Sequence, residues 1–288
     1  MDAEKKRLKT LLDGLYERFD IAFLSTDPLE FVHRYDNDAD REVAGLITSS
    51  LAYGRVDGIK RSVGRVLSVM GKSPARFAAS FDPERDAGLF SGFIHRFNDG
   101  RDVACLIYYA GQMIRDSGSI GAFFMRGYDA KEKNVKGALV RFVDGVFSLD
   151  SSAIYGRTKL PPKAGVRFFF PSPSDGSPCK RLNLYLRWMV RRGDKLDFGI
   201  WKGVDTGKLV MPLDTHVARI SRNIGLTKRA NADWRMAEEV TDALKELDPR
   251  DPVKYDFAIC RLGIIDECPR RADGEKCRRC AIKNICIL

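Results

Sequence analysis

The sequence predicts an all-α fold. Apolar residues recur at helical spacing along most of the chain, helix start and stop signals fall where that spacing begins and ends, and no convincing strand pair interrupts it. Residues 1–19 place Leu8, Leu11, Leu12, Leu15 and Phe19 on one stripe of an amphipathic helix. Asp27-Pro28-Leu29-Glu30 supplies an N-cap, a proline at the first helical position and an acid in the first turn. Val43, Leu46, Ile47 and Leu51 define the next helix, which stops near Gly54. Ile59, Val63, Val66, Leu67 and Met70 define another, closed by Gly71. Further stripes run from Val103 to Ile114, from Val135 to Val143 and from Ala237 to Leu247, the last closed by Asp248-Pro249.

Two stretches break the pattern. Residues 149–179 hold Leu160-Pro161-Pro162, Phe168-Phe169-Phe170-Pro171 and Ser172-Pro173, a proline density that excludes a continuous helix. Three consecutive phenylalanines carry too much apolar area for a solvated linker and are expected to pack on something. Gly193 to Pro212 is the second irregular stretch.

Composition sets the bounds. A chain of 288 residues suffices for one large domain or two modest ones, and 44% hydrophobic residues can bury a real core. The formal charge of +10 favours a polyanionic partner. No run of eighteen apolar residues occurs, so no membrane span is expected, and the polar N-terminal helix does not read as a signal peptide. The expected location is inside the cell. Four of the seven cysteines lie in the last 21 residues, which points to metal rather than disulfides.

Those four are Cys268, Cys277, Cys280 and Cys286, spaced C-x8-C-x2-C-x5-C. A C-x2-C turn aims two thiolates at one centre, and the flanking cysteines close the site. Zinc accepts four thiolates tetrahedrally, and a [4Fe–4S] cluster also takes four. Zinc ribbons generally use two C-x2-C knuckles and this chain has one, which favours the cluster. Cys105, Cys179 and Cys260 fall outside the spacing and read as core or loop residues.

Upstream, Asp214 begins the segment Pro212-Leu213-Asp214-Thr215-His216-Val217-Ala218-Arg219-Ile220 and is a good N-cap for the amphipathic helix bearing Val217, Ile220 and Ile224. His216 and His95 read as packing or surface histidines. With the cysteine tail, this segment resembles the helix-hairpin-helix (HhH-GPD) DNA glycosylase superfamily and its endonuclease III-like members. The family tail is C-x6-C-x2-C-x5-C, so the first gap here is two residues longer. The family block around the aspartate reads V-D-T-H-V-x-R. The resemblance is strong over 210–288, partial over 40–70 and 175–190, and thin elsewhere.

The resemblance implies two helical lobes with an active site in their cleft: a helical barrel over 40–192, and a second lobe from 1–39 plus 193–288 with the cluster loop at 268–286. It implies a base-excision glycosylase with AP lyase activity that removes an oxidised base from double-stranded DNA, and a monomer. Asp214 would be the catalytic carboxylate and Lys180 the nucleophile, 34 residues before it. Only a neutral amine attacks C1′ of the nucleotide, so a desolvated Lys180 is expected. The family hairpin L-P-G-V-G-x-K is degenerate here, since Gly176 is its only glycine. Gly176, Ser177 and Arg181 at this turn, Arg55 after the second helix, and Arg270, Arg271 and Lys276 in the cysteine loop are the expected DNA contacts. Two alternatives stay open: a nucleic-acid-binding protein that keeps the fold and cluster without catalysis, and a zinc-stabilised structural protein.

Overall fold

Helical periodicity becomes fourteen α-helices in the computed structural model, which describes residues 2–265 and 268–287. Asp266 and Glu267, in the segment expected to lead into the cysteine loop, lie outside the described residues. In chain order the helices are α1 (Ala3–Arg18), α2 (Asp38–Ser50), α3 (Val56–Met70), α4 (Pro74–Ala79), α5 (Pro83–Asp86), α6 (Gly100–Ser117) and α7 (Ile120–Met125). They continue as α8 (Lys136–Phe147), α9 (Ser152–Tyr155), α10 (Lys180–Val190), α11 (Thr215–Asn223), α12 (Trp234–Lys245), α13 (Asp256–Ile264) and α14 (Lys276–Arg279). The protein is all-α, and no helix of the described residues is long and apolar enough to cross a membrane.

Two compact units divide the chain. The terminal unit comprises Met1–Phe23, Gly176–Phe198 and Asp205–Leu288; the inserted unit comprises Leu24–Asp175 and Gly199–Val204. This differs from the expected boundaries. Residues 24–39 join the inserted unit because their buried Leu29, Phe31 and Val32 sit in a 3₁₀ turn (Pro28–Arg34) that packs on α2 and α3. That turn also replaces the α-helix expected after Asp27, whose carboxylate caps it by accepting from the Leu29 N–H at 2.9 Å. Helix α10, expected at the end of the barrel lobe, belongs to the terminal unit.

In the inserted unit α6 is the core helix. A capping box fixes its start: Asp99 accepts from the Asp102 N–H at 3.1 Å and Asp102 from the Asp99 N–H at 3.2 Å. Gly118, left-handed at φ 84, ends it. Glu42 on α2 is buried and accepts from the Ile120 and Gly121 N–H groups at 2.9 and 2.7 Å and from the Trp201 indole at 2.7 Å. Gly121 is required there, since a Cβ would lie 2.5 Å from the Trp201 Nε1. Residues 199–204 belong with this unit through that contact. One feature had no signature in the sequence: a short antiparallel hairpin pairs Ile94–His95 with Asn98–Asp99. Two residues per arm are too few to show alternation.

The proline-rich stretch resolves into α9 and two 3₁₀ turns, Gly165–Phe169 and Pro173–Asp175. Phe169 and Phe170 are buried, as that much aromatic area requires, while Phe168 stays partly exposed.

The terminal unit is built around α10, every residue of which after Lys180 is buried. Two arginines run through that apolar helix. Arg187 pairs with Asp197 at 3.2 Å and with Asp256; Arg191 pairs with Asp197 at 3.0 Å, with Asp251 at 2.9 Å and with Asp194. Tyr16 on α1 joins them, donating to Asp194 at 2.9 Å. Burial pushes the Asp251 carboxyl up to about 6, against the opposing pull of Arg191. A carboxyl raised in the folded state contributes stability that is complete below the ordinary value near 4 and is lost as the pH climbs through about 6. Asparagine has no such proton to bind. Asp251→Asn is therefore expected to destabilise most near pH 4, and its deficit relative to wild type should shrink by about 2–3 kcal/mol by pH 7 in urea unfolding. A deficit independent of pH contradicts this account.

Candidate functional site

The turn into α10 positions Lys180. Gly176 has a positive φ of 75, and its carbonyl accepts from the Trp234 N–H at 3.0 Å, fastening the turn to the start of α12. With no second glycine available, Cys179 itself takes the left-handed conformation, φ 47, and reverses the chain. A non-glycine residue there is strained and needs support. Support comes from the Cys179 N–H donating to Ser177 Oγ at 3.2 Å and from Asn183 Nδ2 donating to the Pro178 carbonyl at 3.0 Å. Lys180 is then the first residue of the helix and half-buried.

Asp214 is the N-cap of α11, as its sequence neighbourhood predicts. One carboxylate oxygen accepts from the Val217 N–H at 2.7 Å. The other accepts from the Cys260 thiol on α13, with Sγ 3.5 Å away. Burial, then the neighbouring Asp214 carboxylate, push the Cys260 thiol well up, so it stays protonated and donates. α11 and α13 approach closely because Gly263 faces His216: a Cβ on Gly263 would meet the His216 Cβ at 2.7 Å. His216 is thus a packing residue that also lies 3.4 Å from Arg219 Nη2. His95 is likewise buried, hydrogen-bonded to Ser62 Oγ at 2.9 Å.

Asp256 is a buried acid that feels the charges of both predicted catalytic residues. It opens α13, is buried, and accepts from Arg187. Burial pushes its carboxyl up to about 6; Arg187 and Lys180 pull it down, and Asp214 pushes it further up. The structure therefore brings Lys180 and Asp214 within electrostatic reach of one buried acid. Sequence reading missed Asp256 and Cys260. The legible signal was Arg187, a charge inside the apolar run Leu184-Tyr185-Leu186-Arg187-Trp188-Met189, since a buried guanidinium demands carboxylates.

The expected DNA contacts fall into exposed and buried groups. Arg270, Arg271 and Lys276 are exposed in the terminal unit, Gly176 is exposed and Ser177 half-buried. Arg55 is exposed at the start of α3 in the inserted unit. Arg181 is only 9% exposed, because α10 turns this position into the core, so it presents no open phosphate contact. A cavity of about 620 Å³ against α11 is lined by His216, Arg219, Arg222 and Arg270 among others, and adjoins Thr215 beside Asp214.

The four tail cysteines line a single cavity of about 450 Å³, floored by Leu262 and Ile282. All four are half-buried, and Cys268 feels both Cys280 and Cys286. Burial pushes the Cys268 thiol up, the Arg219 guanidinium pulls it down and those two cysteines raise it again. The Asp273 N–H donates to Cys277 Sγ at 3.4 Å, and Arg219 Nη2 donates to the Cys268 carbonyl at 2.7 Å. The Ile287 N–H donates to the Asn223 carbonyl at 2.8 Å, returning the tail to α11. Among the described residues no three His, Cys, Asp or Glu side chains converge tightly enough to hold a single ion.

These features define an all-α protein with an Asp214 carboxylate held between the start of α11 and the Cys260 thiol, and a cavity lined by four cysteines. Residues 27–265 match the model of a family described as a protein of unknown function, DUF2400, and the chain belongs to that family. The matched span contains Lys180, Asp214 and Asp256 and ends before the first tail cysteine. Comparison with curated proteins and with solved structures gives no match.

Asparagine caps helices as well as aspartate does. Asp214→Asn should keep α11 while removing the charge that, after burial, does most to hold the Cys260 thiol up. Iodoacetamide labelling of Cys260, followed by mass spectrometry near pH 8, is expected to run severalfold faster in the variant. An unchanged rate would mean that Asp214 does not act on this thiol.

Proposed function

We propose that the protein is a base-excision DNA glycosylase with AP lyase activity, of the helix-hairpin-helix type, acting through Lys180 and Asp214. The observation that carries this reading is the placement of Lys180 at the first position of α10 and of Asp214 at the N-cap of α11, where it is held by the Val217 N–H and the Cys260 thiol.

The chemistry asks for three things. Lys180 Nζ, in its neutral form, bonds to C1′ as the bond from C1′ to the base breaks and the departing base takes up a proton. Opening of the sugar then gives a lysine Schiff base; loss of a C2′ proton expels the 3′ phosphate, and water frees the lysine. Asp214, fixed by the Val217 N–H and the Cys260 thiol, stabilises the positive charge that develops on the sugar. Asp256 is a positioning residue: held by Arg187, it fixes the start of α13, the helix that carries Cys260 to Asp214. The formal charge of +10 and the arginine-lined cavity beside α11 suit a phosphate backbone.

Cys268, Cys277, Cys280 and Cys286 would hold a [4Fe–4S] cluster. Four thiolates around one cavity, with a backbone N–H turned toward a sulfur, fit that group as a donor set. Its bonds to the four sulfurs would fix the loop carrying Arg270, Arg271 and Lys276. Zinc, the other metal that takes four thiolates, would give a colourless protein.

Borohydride should trap a covalent adduct between wild type and a duplex bearing an abasic site or oxidised base. Lys180→Ala should abolish it, and Asp214→Asn should slow base release by about a hundredfold or more. Undiminished trapping in Lys180→Ala assigns the chemistry to another amine. Salt-dependent binding with no base release from any lesion identifies a non-catalytic binding protein instead. Anaerobic purification should yield a brown protein with iron and sulfide in equal amounts, both lowered by Cys280→Ser. Zinc in place of iron would remove the cluster from the proposal.

A further inference from the structure

The inserted unit carries an exposed aromatic surface that none of the chemistry above uses. At the tip of the short hairpin Phe97 is 70% exposed, at its open end Ile94 is 75% exposed, and Phe168 is 39% exposed. Large apolar side chains standing in water at one place mark contact surfaces. Here the rings form an ordered group. Phe97 and Tyr53 lie parallel, 4° between planes, with centroids 6.4 Å apart. Phe168 packs edge-on against both, at 5.6 Å from Phe97 and 4.8 Å from Tyr53. The Arg96 guanidinium sits 5.5 Å from the Phe97 ring centre.

The fold fixes this group from behind. A hairpin of two residue pairs has little stability of its own. Buried polar contacts pin it at three points. The Tyr53 hydroxyl lies 2.8 Å from the His95 carbonyl and 2.6 Å from Asn98 Oδ1. His95 reaches the Tyr53 carbonyl at 3.1 Å, on its other ring nitrogen from Ser62. Asn98 Nδ2 donates to the Gly165 carbonyl at 2.9 Å and to Asp102 at 2.8 Å. The loop after α2, the hairpin and the 3₁₀ turn carrying Phe168 are therefore locked together. Arg96 itself is held left-handed at φ 53 in the hairpin turn, which sets Phe97 outward beside it.

We propose that Phe97 and Phe168 form a stacking platform for unpaired bases of a nucleic-acid strand, with Arg96 and Arg55 meeting its phosphates. The proposal rests on the nucleic-acid reading above and adds a second contact region to it. Charge decides the occupant. Arg55 and Arg96 are exposed, Arg96 lies over the Phe97 ring and against Gly54 next to Arg55, and the hairpin's own acid, Asp99, already caps α6. Aromatic faces interleaved with arginines suit bases and phosphates in alternation.

The test uses the 288-residue chain and fluorescence anisotropy with two labelled strands of equal length, oligo(dT) and a wholly abasic oligomer. Wild type should bind oligo(dT) more tightly. Phe97→Ala should weaken oligo(dT) about tenfold and leave the abasic strand unchanged, whereas Phe97→Trp should retain binding. Arg96→Ala should weaken both strands and lower the salt slope by about one. Because Phe97 is mostly solvent-exposed, its loss opens no cavity, and an unchanged melting curve checks the fold. Equal binding of the two strands by wild type, or oligo(dT) affinity unaffected in Phe97→Ala, overturns the platform. Trapping by Lys180 in a protein that shows no Phe97 dependence would overturn the platform alone, while Phe97-dependent binding without trapping would leave the platform and remove the lyase.

Discussion

Arg187 is the charge around which the terminal unit is arranged. Its guanidinium lies inside α10 and is answered by Asp197, from the irregular segment after that helix, and by Asp256, from the start of α13. A buried guanidinium without partners is far costlier than a missing hydrophobic contact, so the two carboxylates are obligatory once the arginine is there. Geometry follows from that demand. The segment after α10 must fold back to deliver Asp197, and α13 must begin where Asp256 can reach Arg187. The beginning of α13 then lies where Lys180 and Asp214 both act on it. Arg191 extends the same network through Asp194, Asp251 and Tyr16, tying α1 to the group.

An apolar replacement of this network could be at least as stable, since the desolvation of paired charges offsets most of their attraction. What the charges provide is register. Asp197 bridges Arg187 and Arg191 while Asp256 answers Arg187 and Asp251 answers Arg191, and a helix slipped by one residue would bury an unpaired charge. The candidate site is built on that register, with Lys180 on the same helix as Arg187 and Cys260 one turn along α13 from Asp256.

The inserted unit solves a similar problem with neutral donors. Glu42 is accommodated in the interior by three N–H groups, and Tyr53, His95 and Asn98 satisfy one another behind the hairpin. Both arrangements hold segments with little structure of their own. Residues 199–204 are kept by Trp201, and the hairpin by side chains from α2's end and the Gly165 turn. In each unit the irregular backbone is fastened by a few buried polar groups rather than by long elements.

Much of this was legible from local pattern. Helix periodicity placed α1, α2, α3, α6, α8 and α12, and Asp214 was readable as the cap of α11, because caps and apolar stripes depend on residues three and four apart. The cysteine spacing marked one group of thiols, and they do line one cavity. Other features depend on distant partners. Arg181 looks like a surface cation beside Lys180, yet α10 carries it into the core. The hairpin at Ile94 is too short to leave an alternating pattern, and the Pro28 turn is 3₁₀ rather than α although its cap and proline are those of a helix start. The sequence by itself determined the helices, their caps and the clustered thiols, all consequences of neighbours within a turn or two. Only the tertiary structure decided that Cys260 donates to Asp214, that Asp256 answers Arg187, and that Phe97 and Phe168 share a surface. Such pairings are enforced by the high cost of leaving buried polar groups unmatched, which acts between residues that no local pattern connects.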